Sequence, residues 1–366
     1  MFKYYMPTNI FFGEDCLKNN LVSNIDVNAK PLIVTGKRSA IISGAQSDIL
    51  KILKSKKIKY EIFNKVTENP KLKTVHEGAK YFLKNNCNMV IGIGGGSPID
   101  SAKAISIIAA NKLENREIYN SQKIKNGYPI IAIPTTSGTG TEATQYSVIT
   151  DTNNDKKAGF GTPLMFPKFS FVDPKYTLSL SKKITRDTTV DALSHLLEGL
   201  YSNKRSKIVY PMIFSGVKII FENLKNTMNN PEDFKLREKL MLASLWGGMV
   251  IAQTGSTMQH AIGYPLTTKY GISHGLANGI VMKAVMEKYY PAIKKDLNEL
   301  FDFLNIKKSE FYNWLISLDL IIGKKLDTEF IENNIENVLN IHNMENNPVK
   351  INANDIRNIY NTINKI

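Results

Sequence analysis

The stretch "VIGIGGGSPIDSAKA", Val90 to Ala104, decides the fold. An apolar run ends in Gly92, Gly94, Gly95 and Gly96, and a helix pattern follows from about Pro98. Proline suits a first helical turn, where its missing N–H would have no partner anyway. Glycines without a Cβ let a pyrophosphate approach the backbone, and the free N–H groups of a helix start favour its negative charge. The stretch predicts a strand, a phosphate-sized turn and a helix. It departs from G-x-G-x-x-G in carrying Ser97 at the last glycine, and it lies in a later strand-helix unit than usual.

Outward from it, short Val and Ile runs alternate with helical spacing. "KPLIVTG" (30–36), "KYEIFNKV" (59–66) and "YPIIAIPTT" (128–136) read as strands buried on both faces, with "SDILKILKSKK" (47–57) and "VHEGAKYFLKNN" (75–86) as the helices between them. Residues 1–180 are therefore expected to form an α/β domain around a doubly wound, Rossmann-like parallel sheet. From about Ser181 apolar residues recur at three and four, as in "VDALSHLLEGLY" (190–201) and "KLREKLMLASLWGGMVIAQTG" (235–255). Residues 181–366 are expected to be all-helical.

A second turn, "PTTSGTGTEAT" (134–144), places Thr135, Thr136, Ser137, Thr139 and Thr141 at the end of the next strand. Neither turn has the GK[ST] of a nucleoside triphosphatase loop, so two polar turns at adjacent strand ends suggest one dinucleotide. Where "PLIVTGKRS" ends, an acidic side chain would bond the adenosine ribose and repel a 2′-phosphate. Gly36, Lys37, Arg38 and Ser39 stand there instead. A small residue, two cations and a hydroxyl favour NADP over NAD.

"TTVDALSHLLEGLY" (188–201) sets Asp191 and His195 four apart, on one face of a helix. Alone, Asp-x-x-x-His describes many ordinary surface pairs. In "QHAIGYPLTTKYGISHG" (259–275), His260 and His274 flank a segment that Pro265 is expected to close, with Tyr264 one turn after the first histidine. One carboxylate and three imidazoles make a thiolate-free site that suits Fe(II), Zn(II), Co(II) or Ni(II).

Composition narrows the field further. A chain of 366 residues suits about two domains, and 43% hydrophobic with 22% charged residues is ordinary for a globular protein. The opening "MFKYYMPTNIFFG" lacks a continuous apolar core for a signal peptide, and no run is long enough for a membrane span, so a cytoplasmic protein is expected. Cys16 and Cys87 show no CxxC spacing, which argues against a disulfide framework or thiolate metal site. The net charge of +14 is spread among isoleucines and asparagines without an aromatic-interleaved patch, so no nucleic-acid partner is expected.

Taken together, "GGGSPIDSAK", "PTTSGTGTEAT", "DALSHLLEG" and "HAIGYPLTTKYGISHG" resemble, in order and spacing, the iron-containing (group III) alcohol dehydrogenases, and "YYMPTNIFFGE" (4–14) resembles their N-terminal strand. The resemblance covers essentially the whole chain. It implies a dehydroquinate synthase-like pair of domains with the catalytic metal in the cleft between them, ligated by Asp191, His195, His260 and His274. It implies that Gly95, Gly96 and Ser97 hold the pyrophosphate, that Asp100, Thr135 and Thr136 border the cofactor, and, by weaker local matches, that Asn69 and Lys157 do so too; Thr139 of the second polar turn is counted with the cofactor-binding residues. Fe(II) is the expected metal, with Zn(II) the other candidate. The expected reaction is reversible hydride transfer between NADP(H) and a primary alcohol or aldehyde, such as 1,3-propanediol, by a homodimer. Two departures stand out: Tyr264 replaces a histidine thought to relay the proton, and Gly36 replaces the acid of NAD-preferring members. Tyr264 and Asp100 are the candidate catalytic side chains. A zinc-dependent polyol dehydrogenase or a cyclising synthase of similar fold is the first rival, against which the full Asp-His-His-His set argues; a basic nucleic-acid-binding protein with a structural metal is the second, which nothing in the motifs demands.

Overall fold

A computed structural model describes residues 2–152 and 156–364. The chain divides into two compact units, Tyr5–Leu180 with Asn230–Met241, and Ser181–Asn229 with the chain from Leu242 onward and a short N-terminal piece ending at Tyr4.

In the first unit the strands are β1 (Asn9–Phe12), β2 (Pro31–Gly36), β3 (Glu61–Val66), β4 (Met89–Gly94), β5 (Ile130–Pro134), β6 (Tyr146–Asp151), β7 (Lys156–Gly161) and β8 (Phe169–Val172). Six form a sheet in the order β1-β8-β5-β4-β2-β3, parallel throughout. The helices between them are α1 (Cys16–Asn24), α2 (Ser39–Ile42), α3 (Ala45–Ser55), α4 (Leu72–Lys84) and α5 (Gly96–Asn111). Parallel strands need crossover helices, and these cover both faces. Ile33, Ile91 and Ile131 pack with Leu17 of α1 and Ile49 of α3. Leu32, Val34 and Val90, pointing the other way, pack with Phe82 of α4 and Ile105 of α5. The doubly wound sheet read from the sequence is the one observed.

The antiparallel pair β6–β7 lies outside that sheet. It docks on α5, where Ser147 Oγ donates to the Asp100 carbonyl at 2.9 Å. Residues 230–241 also depart from the expected boundary. Arg237, almost wholly buried, donates to Pro231 O at 2.7 Å and to Leu180 O at 2.9 Å, which ties the start of a long helix to the α/β unit. A change of hydrophobic period cannot reveal such a tie.

The second unit is helical: α6 (Lys182–Tyr201), α7 (Tyr210–Asn229), α8 (Phe234–Thr254, whose first turns belong to the other unit), α9 (Met258–Tyr270), α10 (His274–Leu304), α11 (Lys308–Ile316), α12 (Thr328–Leu339) and α13 (Ala353–Ile363). Ser181 caps α6 by accepting from Ile184 N, and every residue from Thr189 to Tyr201 is buried. Pro265 does not close a loop as expected. It lies inside α9, where burial of Met258 to Tyr264 and of Leu266 and Thr267 outweighs the lost backbone bond. The turn falls instead at Gly271, whose φ of 63° suits a residue without a Cβ.

Candidate metal centre and cofactor cradle

α6 supplies Asp191 and His195 from one face, one turn apart. His260 comes from the first turn of α9, and His274 is the first residue of α10. The start of α10 lies hard against α6: a Cβ on Gly275 would sit 1.7 Å from Asp187 O, and Ser273 Oγ donates to Asp187 Oδ2 at 2.6 Å. Only glycine permits that approach, and it brings His274 alongside Asp191.

The ligand atoms of Asp191, His195 and His260 lie within 4.8 Å of one another, and all three residues are buried. His195 Nε2 and His260 Nε2 stand 3.1 Å apart, each 4.0 Å from Asp191 Oδ1. His274 Nε2 is 3.8 Å from the same oxygen, on a side chain 25% exposed, and lies outside that tight set of three. The four expected ligands thus share one carboxylate oxygen, with His274 at the open side. Burial works to raise the Asp191 pKa, but His195, His274 and His260, with a hydrogen bond from Asn278, together hold it below the usual value.

The donor set fits a divalent cation. His260 Nδ1 bonds the Glu198 carboxylate, so that ring's proton sits on Nδ1 and Nε2 carries a lone pair. That lone pair faces His195 Nε2 at 3.1 Å and the Asp191 carboxylate oxygen at 4.0 Å, so two imidazole nitrogens and a carboxylate oxygen converge as a cation's ligands would.

Three supporting residues escaped the sequence reading: Glu198, Gln259 and Asn278. Asn278 follows His274 by one turn, and its Nδ2 lies 2.9 Å from Asp191 Oδ1, 3.2 Å from His260 Nε2 and 3.3 Å from His274 Nε2. Gln259 Nε2 donates to the Asn278 carbonyl at 2.9 Å. Gln259 Oε1 and Asn278 Oδ1 are buried without a hydrogen-bond partner among the described residues. The spacing Asp191/His195 recurs as His274/Asn278, and that was the available signal. Tyr264, almost buried, lays its ring parallel to His274, with centroids 5.6 Å apart and planes 9° apart.

This chain belongs to the iron-containing alcohol dehydrogenase family. The family model "Iron-containing alcohol dehydrogenase" matches residues 7–174, and "Fe-containing alcohol dehydrogenase family, C-terminal" matches 185–364. The long-chain primary alcohol dehydrogenase AdhA of Thermoanaerobacter ethanolicus is 33% identical over 290 residues, 78% of this chain and 71% of that one. The 1,3-propanediol dehydrogenase of Citrobacter freundii is 29% identical over 312 residues, 83% of this chain and 79% of that one. The crystal structure of an iron-containing alcohol dehydrogenase from Thermotoga maritima superimposes with a TM-score of 0.93 at 36% identity, covering all of both chains. The protein is accordingly an oxidoreductase of this family acting on alcohols.

In this alcohol dehydrogenase the α/β unit brings the two polar turns together. Gly94 has φ of 147°, and a Cβ there would strike Pro98 Cγ at 2.6 Å. A Cβ on Gly96 would lie 2.8 Å from Thr139 Cγ2, and one on Gly95 would lie 3.3 Å from the Thr136 side chain. Ser97 follows in the first turn of α5. Thr135 Oγ1 and Ser137 Oγ are buried without a hydrogen-bond partner among the described residues, which leaves both hydroxyls available to a bound ligand.

Asp100 ties α5 to the second turn and to β6. Its Oδ1 accepts from Thr141 Oγ1 at 2.6 Å and its Oδ2 from Val148 N at 2.9 Å, one bond to each oxygen. Beside it the fully buried Lys103 Nζ donates to Thr141 O, Thr144 O and Tyr146 O at 2.6–2.8 Å and contacts the Thr141 and Thr144 hydroxyls. Burial brings the Lys103 pKa down to about 8 and lifts that of Glu142 to about 7. Asn69, with φ of 53°, accepts from Lys157 Nζ at 2.9 Å, so these two expected neighbours of the cofactor meet.

At the end of β2, Gly36 is partly buried and Lys37, Arg38 and Ser39 are exposed. A Cβ at Gly36 would lie 3.4 Å from Val66 O and 3.8 Å from Ser39 Oγ, ordinary contacts. Nothing in the backbone demands glycine there. No helix among the described residues is long and apolar enough to cross a membrane.

Proposed function

We propose that this protein is an Fe(II)-dependent alcohol dehydrogenase that passes a hydride reversibly between NADP(H) and a primary alcohol or aldehyde, small diols such as 1,3-propanediol included. The observation that carries the reading is the convergence of Asp191, His195 and His260 within 4.8 Å in a buried, thiolate-free setting, with His274 3.8 Å from the shared carboxylate oxygen. Asp191, His195, His260 and His274 are the residues that would hold the metal, and a divalent cation supplies Lewis acidity toward an alcohol or carbonyl oxygen. The relatives named for primary alcohol and 1,3-propanediol support the substrate class.

The chain's own groups supply the rest. Asn278 and Glu198 hold the ligands in register. Tyr264 keeps the His274 ring flat against its own and is the candidate to orient the alcohol or pass its proton to solvent. In the α/β unit, the backbone N–H groups from Gly95 to Ser97 and the hydroxyls of Thr135, Thr136 and Thr139 are the candidate partners of the cofactor pyrophosphate and its surroundings. The choice of NADP rests on Gly36, where a Cβ would meet only ordinary contacts and no acidic side chain is present, and on the exposed Lys37, Arg38 and Ser39, which can pair with a 2′-phosphate.

The test is anaerobic. The protein is stripped of metal, Fe(II) or Zn(II) is restored separately, and oxidation of NADPH and then NADH is followed at constant butyraldehyde. Fe(II)-restored turnover with NADPH, much weaker with NADH, is the expected result. Equal use of the two cofactors overturns the NADP assignment, and full activity without metal overturns the metal reading.

A further inference from the structure

α6 presents Asp191, His195 and Glu198 at positions i, i+4 and i+7, a single face of one helix. Two of these carry candidate ligand atoms. The third, wholly buried, reaches across to the first turn of α9. Its Oε1 accepts from Thr257 N at 2.6 Å, from Thr257 Oγ1 at 2.8 Å and from His260 N at 3.3 Å, while Oε2 takes His260 Nδ1.

A buried carboxylate needs partners, and this one is satisfied by the start of α9 and by an imidazole. It therefore acts on His260 twice, through the backbone that positions the residue and through the ring. A proton on Nδ1 shared with a carboxylate fixes the tautomer and leaves Nε2 as the lone-pair donor. Nε2 is the atom that stands 3.1 Å from His195 Nε2 and 4.0 Å from Asp191 Oδ1.

We infer that Glu198 is the positioning residue of the metal site: it holds His260 in the Nδ1–H tautomer with Nε2 turned to the cation, and so sets the affinity for metal. The inference rests on the metal reading above. A helix cap alone would need only the bonds from Thr257 and from His260 N. The bond to the ring is a separate contact, and it gives the two roles different consequences.

Glu198→Gln separates them. The amide oxygen can still accept the backbone N–H groups of α9, but the amide nitrogen in place of Oε2 donates to His260 Nδ1 and drives the ring proton to Nε2. Thr257→Val is the control, since it removes one capping bond and leaves the ring contact intact. Full-length wild type and both variants, with ¹⁵N-labelled histidine, are stripped of metal; long-range ¹H–¹⁵N spectra read the tautomer, chelator competition reads Zn(II) affinity, and thermal melting checks the fold. The expected result is an Nδ1–H His260 in wild type and Thr257→Val, an Nε2–H ring in Glu198→Gln, and Zn(II) bound about 10- to 100-fold more weakly by Glu198→Gln alone. An unchanged tautomer in Glu198→Gln, or equal losses of affinity in the two variants, overturns the inference. A wild type that binds no metal overturns the metal reading, and the role of Glu198 with it, whatever the tautomer shows.

Discussion

Asn278 Nδ2 lies 2.9 Å from Asp191 Oδ1, the oxygen on which His195, His260 and His274 converge. Two helices that each supply candidate ligands are thereby joined at one of those residues. Asn278→Leu keeps the volume and removes the donor, so Asp191 loses its orientation. Metal affinity by chelator competition is expected to fall about 10- to 100-fold. Affinity within a factor of two of wild type would show that the amide does not support the site.

At the end of β2 the expectation concerns cofactor choice. Gly36→Asp adds a carboxylate at a position where a Cβ meets only ordinary contacts. The ratio of kcat/KM for NADH over NADPH is expected to rise at least about tenfold, the equivalent of about 1.4 kcal/mol. An unchanged ratio would mean that the adenosine ribose is read elsewhere.

Lys103→Met leaves three carbonyls and two threonine hydroxyls without their buried cation, and leaves Asp100 and Glu142 unbalanced. Removing one member of a buried charge cluster costs about 3–5 kcal/mol. Urea unfolding should show that loss, and any folded enzyme should show a raised KM for cofactor, because the turn from Thr135 to Thr144 is no longer held to α5. A normal KM would separate the staple from the cradle.

Glu142 has its folded pKa raised by burial to about 7, from 4.5. The folded state then binds more protons than the unfolded one between those values, so Glu142 stabilises the fold below about pH 4.5 and that stabilisation is lost as pH rises through 7. Glu142→Gln should flatten the fall of stability across this window, and by pH 8 be more stable than wild type by up to about 3 kcal/mol. Parallel curves for the two proteins would show that the carboxyl finds solvent or a partner cation when ionised.

Tyr264→Phe preserves the ring parallel to His274 and removes only the hydroxyl. If that hydroxyl carries the proton, kcat falls by about 10- to 100-fold and the pH–rate profile moves. An unchanged profile removes Tyr264 from the mechanism and leaves it a packing role.

What the sequence made legible follows the range over which each signal acts. The parallel strands announced themselves as Val and Ile runs, since burial on both faces leaves no alternation to misread. Asp191 and His195 were visible because helical spacing puts them together. Glu198 sits in the same quoted run, three residues on, but a carboxylate that supports a ligand on another helix has no local mark. Lys103 was invisible for the opposite reason: a lysine reads as a surface residue until five oxygens are found around it. The β6–β7 pair and the tie from Arg237 to Leu180 are tertiary facts with no period of their own. Pro265 misled because packing on the buried side of α9 overrode a rule that holds for an isolated helix.

The burial of α5 on nearly all sides has a consequence for how such a protein can change. The turn at Gly94 to Gly96 is set by contacts to Pro98, Thr136 and Thr139, and the helix behind it is packed into the core from Pro98 to Ala109. The part of the fold suited to a pyrophosphate is therefore nearly immutable. The exposed residues after β2 bear no such load, and a single replacement there disturbs little else. A frozen turn beside an adjustable loop lets replacements accumulate at the end of one strand while the end of its neighbour stays fixed.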